Sequence, residues 1–252
     1  MWIMFRFLLF ALSLAASAQE MELFLLIGQS NMAGRGVIEE QDKLPHPRVF
    51  TLTKEETWAP AVEPIHFDRP DRLGTGLGRS FAKTLADLAP GKKVGLIPAA
   101  MGGSALDEWK PGGKLYTDAV RRAKVAMKNG RLRGILWHQG EADCPKLELI
   151  RTYQERWLAV MKSLRADLGD VPIVVGELGQ FLYTREKNDY AMARMVNEQL
   201  AQLAVNGTRV AFVSSQGLTH KGDVLHFDSP SLREFGRRYA HAFLMLEADW
   251  KN

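Results

Sequence analysis

Leu23-Phe24-Leu25-Leu26-Ile27-Gly28-Gln29-Ser30-Asn31-Met32-Ala33-Gly34 is the stretch on which the reading of this chain turns. An unbroken apolar run that stops at glycine predicts a fully buried strand entering a sharp turn. In an open α/β sheet, ligands sit just beyond the carboxyl ends of the strands, which is where Ser30 falls. A serine hydroxyl there becomes a nucleophile if a base can reach it. The plainer alternative is that Ser30 only caps the helix that follows.

Upstream, Arg6 precedes the apolar run 7–15, and Ala16-Ser17-Ala18 has the small-x-small pattern of a cleavage site. Residues 1–18 therefore read as a secretory signal peptide, too short to be a membrane span. Residues 19–252 read as one domain whose mature end lies near Gln19, in the periplasm or medium. Downstream, 48–53 alternates like a short exposed strand, and a proline-rich passage over 58–70 reads as an insertion above the strand ends. Further buried strands are expected at 93–98, 134–137, 171–175 and 209–214. Amphipathic helices are expected at 77–88, 115–127, 147–168, 190–204 and 229–246. Strands alternating with helices of this length predict βαβ units: a three-layer α/β/α sandwich on a five-stranded parallel sheet.

The chain has 252 residues, 46% of them hydrophobic and 25% charged, with a formal net charge of +4. Those proportions are ordinary for a globular domain. No block of Lys or Arg resembles a nucleic-acid footprint, and no second long apolar segment suggests membrane insertion. With one cysteine, Cys144, an internal disulfide is impossible. The oligomeric state leaves no signal in the sequence.

Four strand-end loops carry small and polar residues: 28–32, 101–104, 138–141 and 223–228. A parallel sheet brings such loops to one edge, and together they hold what serine ester hydrolysis requires. Ser30 is the candidate nucleophile and His226 the candidate base. Asp223, three residues earlier, can turn back to hold the other ring nitrogen. The N–H groups of Ser30 and Gly103 and the side-chain amide of Gln139 are candidate oxyanion donors. Competing readings are weaker. The glycines at 74, 76 and 78 follow no strand, so a dinucleotide loop is not supported. His220, Asp223 and His226 lack metal-ligand spacing, and Glu141 and Asp143 share one short segment and so do not flank a cleft. No metal and no cofactor is called for. A reading of a different class is a non-catalytic carbohydrate-binding module, with Trp58 and Trp109 as exposed sugar-stacking aromatics.

Gly28-Gln29-Ser30-Asn31-Met32, Gly102-Gly103-Ser104 with Trp109 after it, Trp137-His138-Gln139-Gly140-Glu141, and Asp223-x-x-His226-Phe227 occur in the order found in the SGNH hydrolases. More narrowly, the chain resembles the branch of sialate O-acetylesterases and family 6 carbohydrate esterases (acetylxylan esterases). The resemblance implies a flavodoxin-like sheet and metal-free hydrolysis of acetylated carbohydrate through an acyl-enzyme. It places Ser30, Gly103 and Gln139 in the nucleophile and oxyanion roles and puts Trp109 at the substrate site. It also raises Glu141 as an orienting acid with, or instead of, Asp223; the local spacing favours Asp223. Residues 54–76 and 104–113 are expected to build the specificity surface.

Overall fold

The apolar run becomes β1, Met21–Gly28, the central strand of the sheet. The structure is a computed structural model that describes residues 20–185, 190–205 and 209–247. The expected signal peptide, 1–18, lies outside the described residues. Six more strands follow: β2 (Val49–Leu52), β3 (Trp58–Pro60), β4 (Val94–Pro98), β5 (Gly130–His138), β6 (Ile173–Gly176) and β7 (Val210–Val213), in the spatial order β3-β2-β4-β1-β5-β6-β7. All pairings are parallel except β2 with β3.

The five expected strands are β4, β1, β5, β6 and β7, and their order is the flavodoxin-like 2-1-3-4-5. The sheet has seven strands because two more extend the β4 edge. β2 reads as exposed in the sequence, yet Val49, Thr51 and Leu52 are buried, because Val49 and Leu52 pack into the core on opposite faces of the sheet while β3 pairs with what would have been a free edge. Pro60 made β3 look like loop. On the outermost strand a missing N–H costs nothing, and Pro60 sits there opposite Phe50.

The α-helices among the described residues are α1 (Ser30–Ala33), α2 (Glu40–Lys43), α3 (Gly78–Leu88), α4 (Lys114–Ala126), α5 (Leu147–Arg151), α6 (Tyr153–Leu168), α7 (Ala193–Val205) and α8 (Ser229–Leu246). Alternation along β1 divides the core in two. Leu23, Leu25 and Ile27 face Tyr116 of α4, Trp157 and Leu164 of α6 and Leu200 of α7. Phe24 and Leu26 face Phe81 of α3 and Phe235 and Phe243 of α8. The expected single helix over 147–168 is broken at Thr152. Its hydroxyl donates to the Glu148 carbonyl at 3.1 Å, competing with the helix's own bonds.

Two features aim the site. Gly28 has φ +129°, and a Cβ there would sit 2.1 Å from the His138 carbonyl oxygen, so only glycine lets β1 turn this close to β5. Since β4 lies on one side of β1 and β5 on the other, the first turn after β1 opens at the topological switch point.

Candidate active site

Ser30 is the first residue of α1, and its hydroxyl does not cap that helix; Gln29 occupies the cap position without a side-chain bond. The Ser30 Oγ lies 3.0 Å from Nε2 of His226. The opposite ring nitrogen, Nδ1, lies 2.7 Å from Oδ2 of Asp223. Asp223 is itself locked, because its Oδ1 accepts from the backbone N–H of Leu225 at 3.0 Å and of His226 at 2.8 Å. A carboxylate can only accept, so Nδ1 carries the proton and Nε2 presents a lone pair to Ser30.

The electrostatics agree. Partial burial works to raise the Asp223 carboxyl, but the N–H of His226, its ring and the N–H of Leu225 outweigh that and hold it below the usual carboxylate value. Burial lowers His226 below an ordinary histidine, and the neighbouring carboxylates Asp223 and Glu141 only partly offset it. The imidazole is thus neutral at neutral pH, the state a general base needs.

The Ser30 hydroxyl opens into a cleft of about 300 Å³ whose walls include Gly103, Arg69, Arg72, Tyr190 and His226. Gly103 has φ +81° and lines the cleft together with Ser30. Its loop is held from behind. The Gly102 N–H donates to Asp68 Oδ2 at 2.8 Å, and the same oxygen accepts from buried Arg35 at 2.6 Å. A Cβ at Gly102 would lie 2.4 Å from that guanidinium. Neither Arg35 nor Asp68 stood out in the sequence; both lie outside the four loops, and only the fold brings them under Gly102.

Three expected site residues are placed differently. Gln139 is fully buried, and its Nε2 donates to Asp143 Oδ2 at 2.6 Å and to the Ser104 carbonyl at 3.1 Å. Both amide hydrogens are committed, so Gln139 braces two loops and does not offer a donor to an oxyanion. Trp109 is 1% exposed, packed edge-on against Trp137, with its Nε1 donating to Ser104 Oγ at 3.0 Å. It buttresses the 101–104 loop and has no face left for a sugar. Glu141 does not hold His226, whose Nδ1 is already bonded to Asp223. It accepts from Asn31 Nδ2 at 2.6 Å and lies 3.5 Å from His138 Nε2.

Of the two segments expected to shape specificity, 54–76 supplies Arg69 and Arg72 to the cleft wall. In 104–113 the chain instead forms a 3₁₀ turn, Leu106–Trp109, with Leu106 and Trp109 in the core. Trp58 is only partly buried, but its Nε1 donates to Asn129, far from the cleft. His220, weighed as a metal ligand, accepts from the N–H groups of Gly222 and Val224 and so shapes the turn before His226.

Comparison with known proteins bears on the family and the fold. Residues 20–245 match the family model described as carbohydrate esterase, sialic acid-specific acetylesterase. A probable carbohydrate esterase of Arabidopsis thaliana is 30% identical over 244 residues, covering 88% of this chain and 90% of the plant protein. A crystal structure of an Arabidopsis thaliana protein superposes with a TM-score of 0.79 at 29% identity, over 89% of this chain and 98% of that one. NanS shares the fold with a TM-score of 0.77 at 19% identity, over 92% and 99% of the two chains. An acetylxylan esterase, Axe2 of Geobacillus stearothermophilus, does so at 0.56 and 13%, over 93% and 98%.

Proposed function

From the premise that this chain belongs to the sialic acid-specific acetylesterase family of carbohydrate esterases, we propose an exported carbohydrate O-acetylesterase that works through an acyl-enzyme on Ser30. The observation that carries the reading is the unbroken line Asp223–His226–Ser30, at 2.7 and 3.0 Å, opening into a cleft. His226 Nε2 takes the Ser30 proton as Oγ attacks the acetyl carbonyl. The resulting oxyanion faces the N–H groups of Ser30 and Gly103. Collapse expels the sugar oxygen, which receives the proton from His226, and leaves Ser30 acetylated. Water then repeats the sequence and releases acetate.

Arg69 and Arg72 on the cleft wall favour a sugar bearing a carboxylate, such as an O-acetylated sialic acid, over a neutral xylan chain. A purely sugar-binding role loses one of its two motivating aromatics, since Trp109 is buried. Export rests on the 1–18 segment and is checked by sequencing the mature protein, which should begin near Gln19 and be found outside the cytoplasm. The activity is tested by acetate release from O-acetylated sialic acids, acetylated xylan oligomers and p-nitrophenyl acetate. Wild-type protein should turn over at least one substrate with a burst of alcohol release, and Ser30→Ala should abolish both. A chain that releases no acetate from any of these, or a fully active Ser30→Ala, overturns the proposal.

A further inference from the structure

The base comes from the far side of the sheet. β7 is separated from β1 by β5 and β6, about 14 Å at the usual strand spacing, and the loop 214–228 has to carry His226 back across those strand ends to Ser30. Strand register therefore does not set the Ser30–His226 distance. Side chains set it, and the contacts converge on Asn31, the residue next to the nucleophile.

Asn31 Oδ1 accepts from the Phe227 N–H at 3.2 Å, and its Nδ2 donates to the Leu225 carbonyl at 3.1 Å. One amide thus grips the backbone on both sides of His226. The second Nδ2 hydrogen goes to Glu141 Oε1 at 2.6 Å. Both residues are 1% exposed, so no water competes. Glu141 fixes which way the amide points. Turned over, Asn31 would set its oxygen against the Glu141 carboxylate and the Leu225 carbonyl, and its NH₂ against the Phe227 N–H.

His138 lies beside Glu141. The Tyr239 hydroxyl has one hydrogen, given to the Trp137 carbonyl at 2.9 Å, so at 3.2 Å it accepts from His138 Nδ1. The other nitrogen, Nε2, faces Glu141 Oε1 at 3.5 Å.

We propose that Asn31 and Glu141 are positioning residues of the hydrolytic reaction: Asn31 clamps the loop that carries His226 onto the helix that carries Ser30, and Glu141 orients the clamp while adding negative charge near the imidazole. The inference rests on the serine mechanism above and deepens it. It gives Glu141 a role in which it never touches the base. The charged groups facing His226 are Asp223 and Lys221 from its own loop, Glu141 from the loop after β5, and the arginines of the cleft wall. Of these, Asp223 and Glu141 favour the protonated ring and Lys221 opposes it.

The test is steady-state kinetics and pH profiles on p-nitrophenyl acetate for Asn31→Ala, Asn31→Asp, Glu141→Ala, Glu141→Gln and the Asn31→Ala/Glu141→Ala double variant, each checked for native circular dichroism. Ser30→Ala is measured alongside. Misplacement of the base by about 1 Å costs roughly 10²-fold, so Asn31→Ala should lose about that in kcat with KM within about twofold. Asn31→Asp keeps the shape but loses both donated bonds, and it should fall comparably; it carries the test if the alanine variant does not fold. Glu141→Ala should lose about 10-fold and the double variant no more than Asn31→Ala alone, since both act through one clamp. Glu141→Gln keeps an acceptor for Asn31 and should restore kcat, with its acid limb moved to lower pH because a negative charge near His226 is gone.

Wild-type kcat in folded Asn31→Ala and Asn31→Asp overturns the clamp. So do losses that multiply in the double variant. An acid limb unmoved in Glu141→Gln overturns the electrostatic part. If Ser30→Ala stays active, the hydrolytic mechanism itself fails. If Ser30→Ala is dead while both Asn31 variants are fully active, only the clamp fails.

Discussion

Replacing Asp223 by Asn should leave a folded protein with almost no turnover, and the structure shows why the substitution cannot be absorbed. Asp223 makes three bonds: Oδ1 accepts two backbone N–H groups, and Oδ2 accepts the ring N–H of His226. An asparagine keeps its oxygen against the two backbone donors, which forces its NH₂ toward Nδ1. The imidazole must then accept at Nδ1 and carry its proton on Nε2, aimed at Ser30, and it can no longer take a proton from the hydroxyl. Flipping the amide to rescue the tautomer would set the NH₂ against two N–H donors. The wrong tautomer is therefore enforced by the loop, and the expected loss in kcat is about 10⁴-fold, the scale known for neutralising a triad aspartate. That equals about 5 kcal/mol of barrier at 1.36 kcal/mol per decade. KM should hardly change, because Asp223 is not part of the cleft wall. The assay is p-nitrophenyl acetate turnover with active-site titration, on protein whose thermal midpoint has been measured. A folded Asp223→Asn enzyme within 10-fold of wild type would refute the reasoning. If Glu141→Gln were then inactive, the orienting role would pass to Glu141.

Because burial holds His226 below an ordinary histidine, the acid limb of kcat/KM should have its midpoint below about 6.5, and activity should fall as pH drops through it; a midpoint above 7 refutes this. Trp109→Phe, which removes the bond to Ser104 but keeps most of the packing, should lower kcat through the 101–104 loop and leave KM nearly unchanged. A rise in KM with kcat intact would instead put Trp109 on the substrate. Burial pushes the Glu63 carboxyl up to about 8 from 4.5, against the opposing bonds from Gly76 and Ile65. Its contribution to stability is complete below pH 4.5 and is lost as pH rises to 8, so Glu63→Gln should flatten the pH dependence of the thermal midpoint across that window. An unchanged slope counts against a buried, protonated Glu63.

The strands and the order of the four loops were legible because each is a local signal: an apolar run, then glycine, then small polar residues. That Ser30, Asp223 and His226 would come together was legible for the same reason, since Asp223 reaches His226 within one loop and strand topology delivers Ser30 to the sheet edge. Gln139 was misread because its type suits an oxyanion donor; its capture by Asp143, four residues on, and by Ser104 depends on two loops meeting. Trp109 was misread because an aromatic after a glycine loop looks exposed, whereas the 3₁₀ turn at Leu106–Trp109 folds it onto Trp137. The role of Asn31 had no signal beyond its place beside Ser30, as its partners are 110 to 196 residues away. β3 was hidden by Pro60, which reads as a breaker wherever the edge of the sheet is unknown.

The site is held by two different kinds of restraint, and they fail in different ways. Ser30 and the 101–104 loop are fixed by register. The Gln29 N–H donates to the His138 carbonyl at 2.9 Å, the Met101 N–H donates to the Gly28 carbonyl at 2.9 Å, and Gly28 permits the close approach. Disturbing these disturbs the central strands, so a residue such as Gly28 cannot change without costing the fold. His226 is fixed by side chains acting on a long loop: Asn31, Glu141 and the Asp228 cap, whose Oδ1 accepts from the Ser231 N–H at the start of α8. Loss of one such bond moves the base and spares the sheet, because a typical hydrogen bond contributes only about 1 kcal/mol to stability while a small displacement of the base costs orders of magnitude in rate. Folded but inactive variants should therefore concentrate among the contacts of 214–228. Variants at the β1–β5 junction should be lost to unfolding before their activity can be measured.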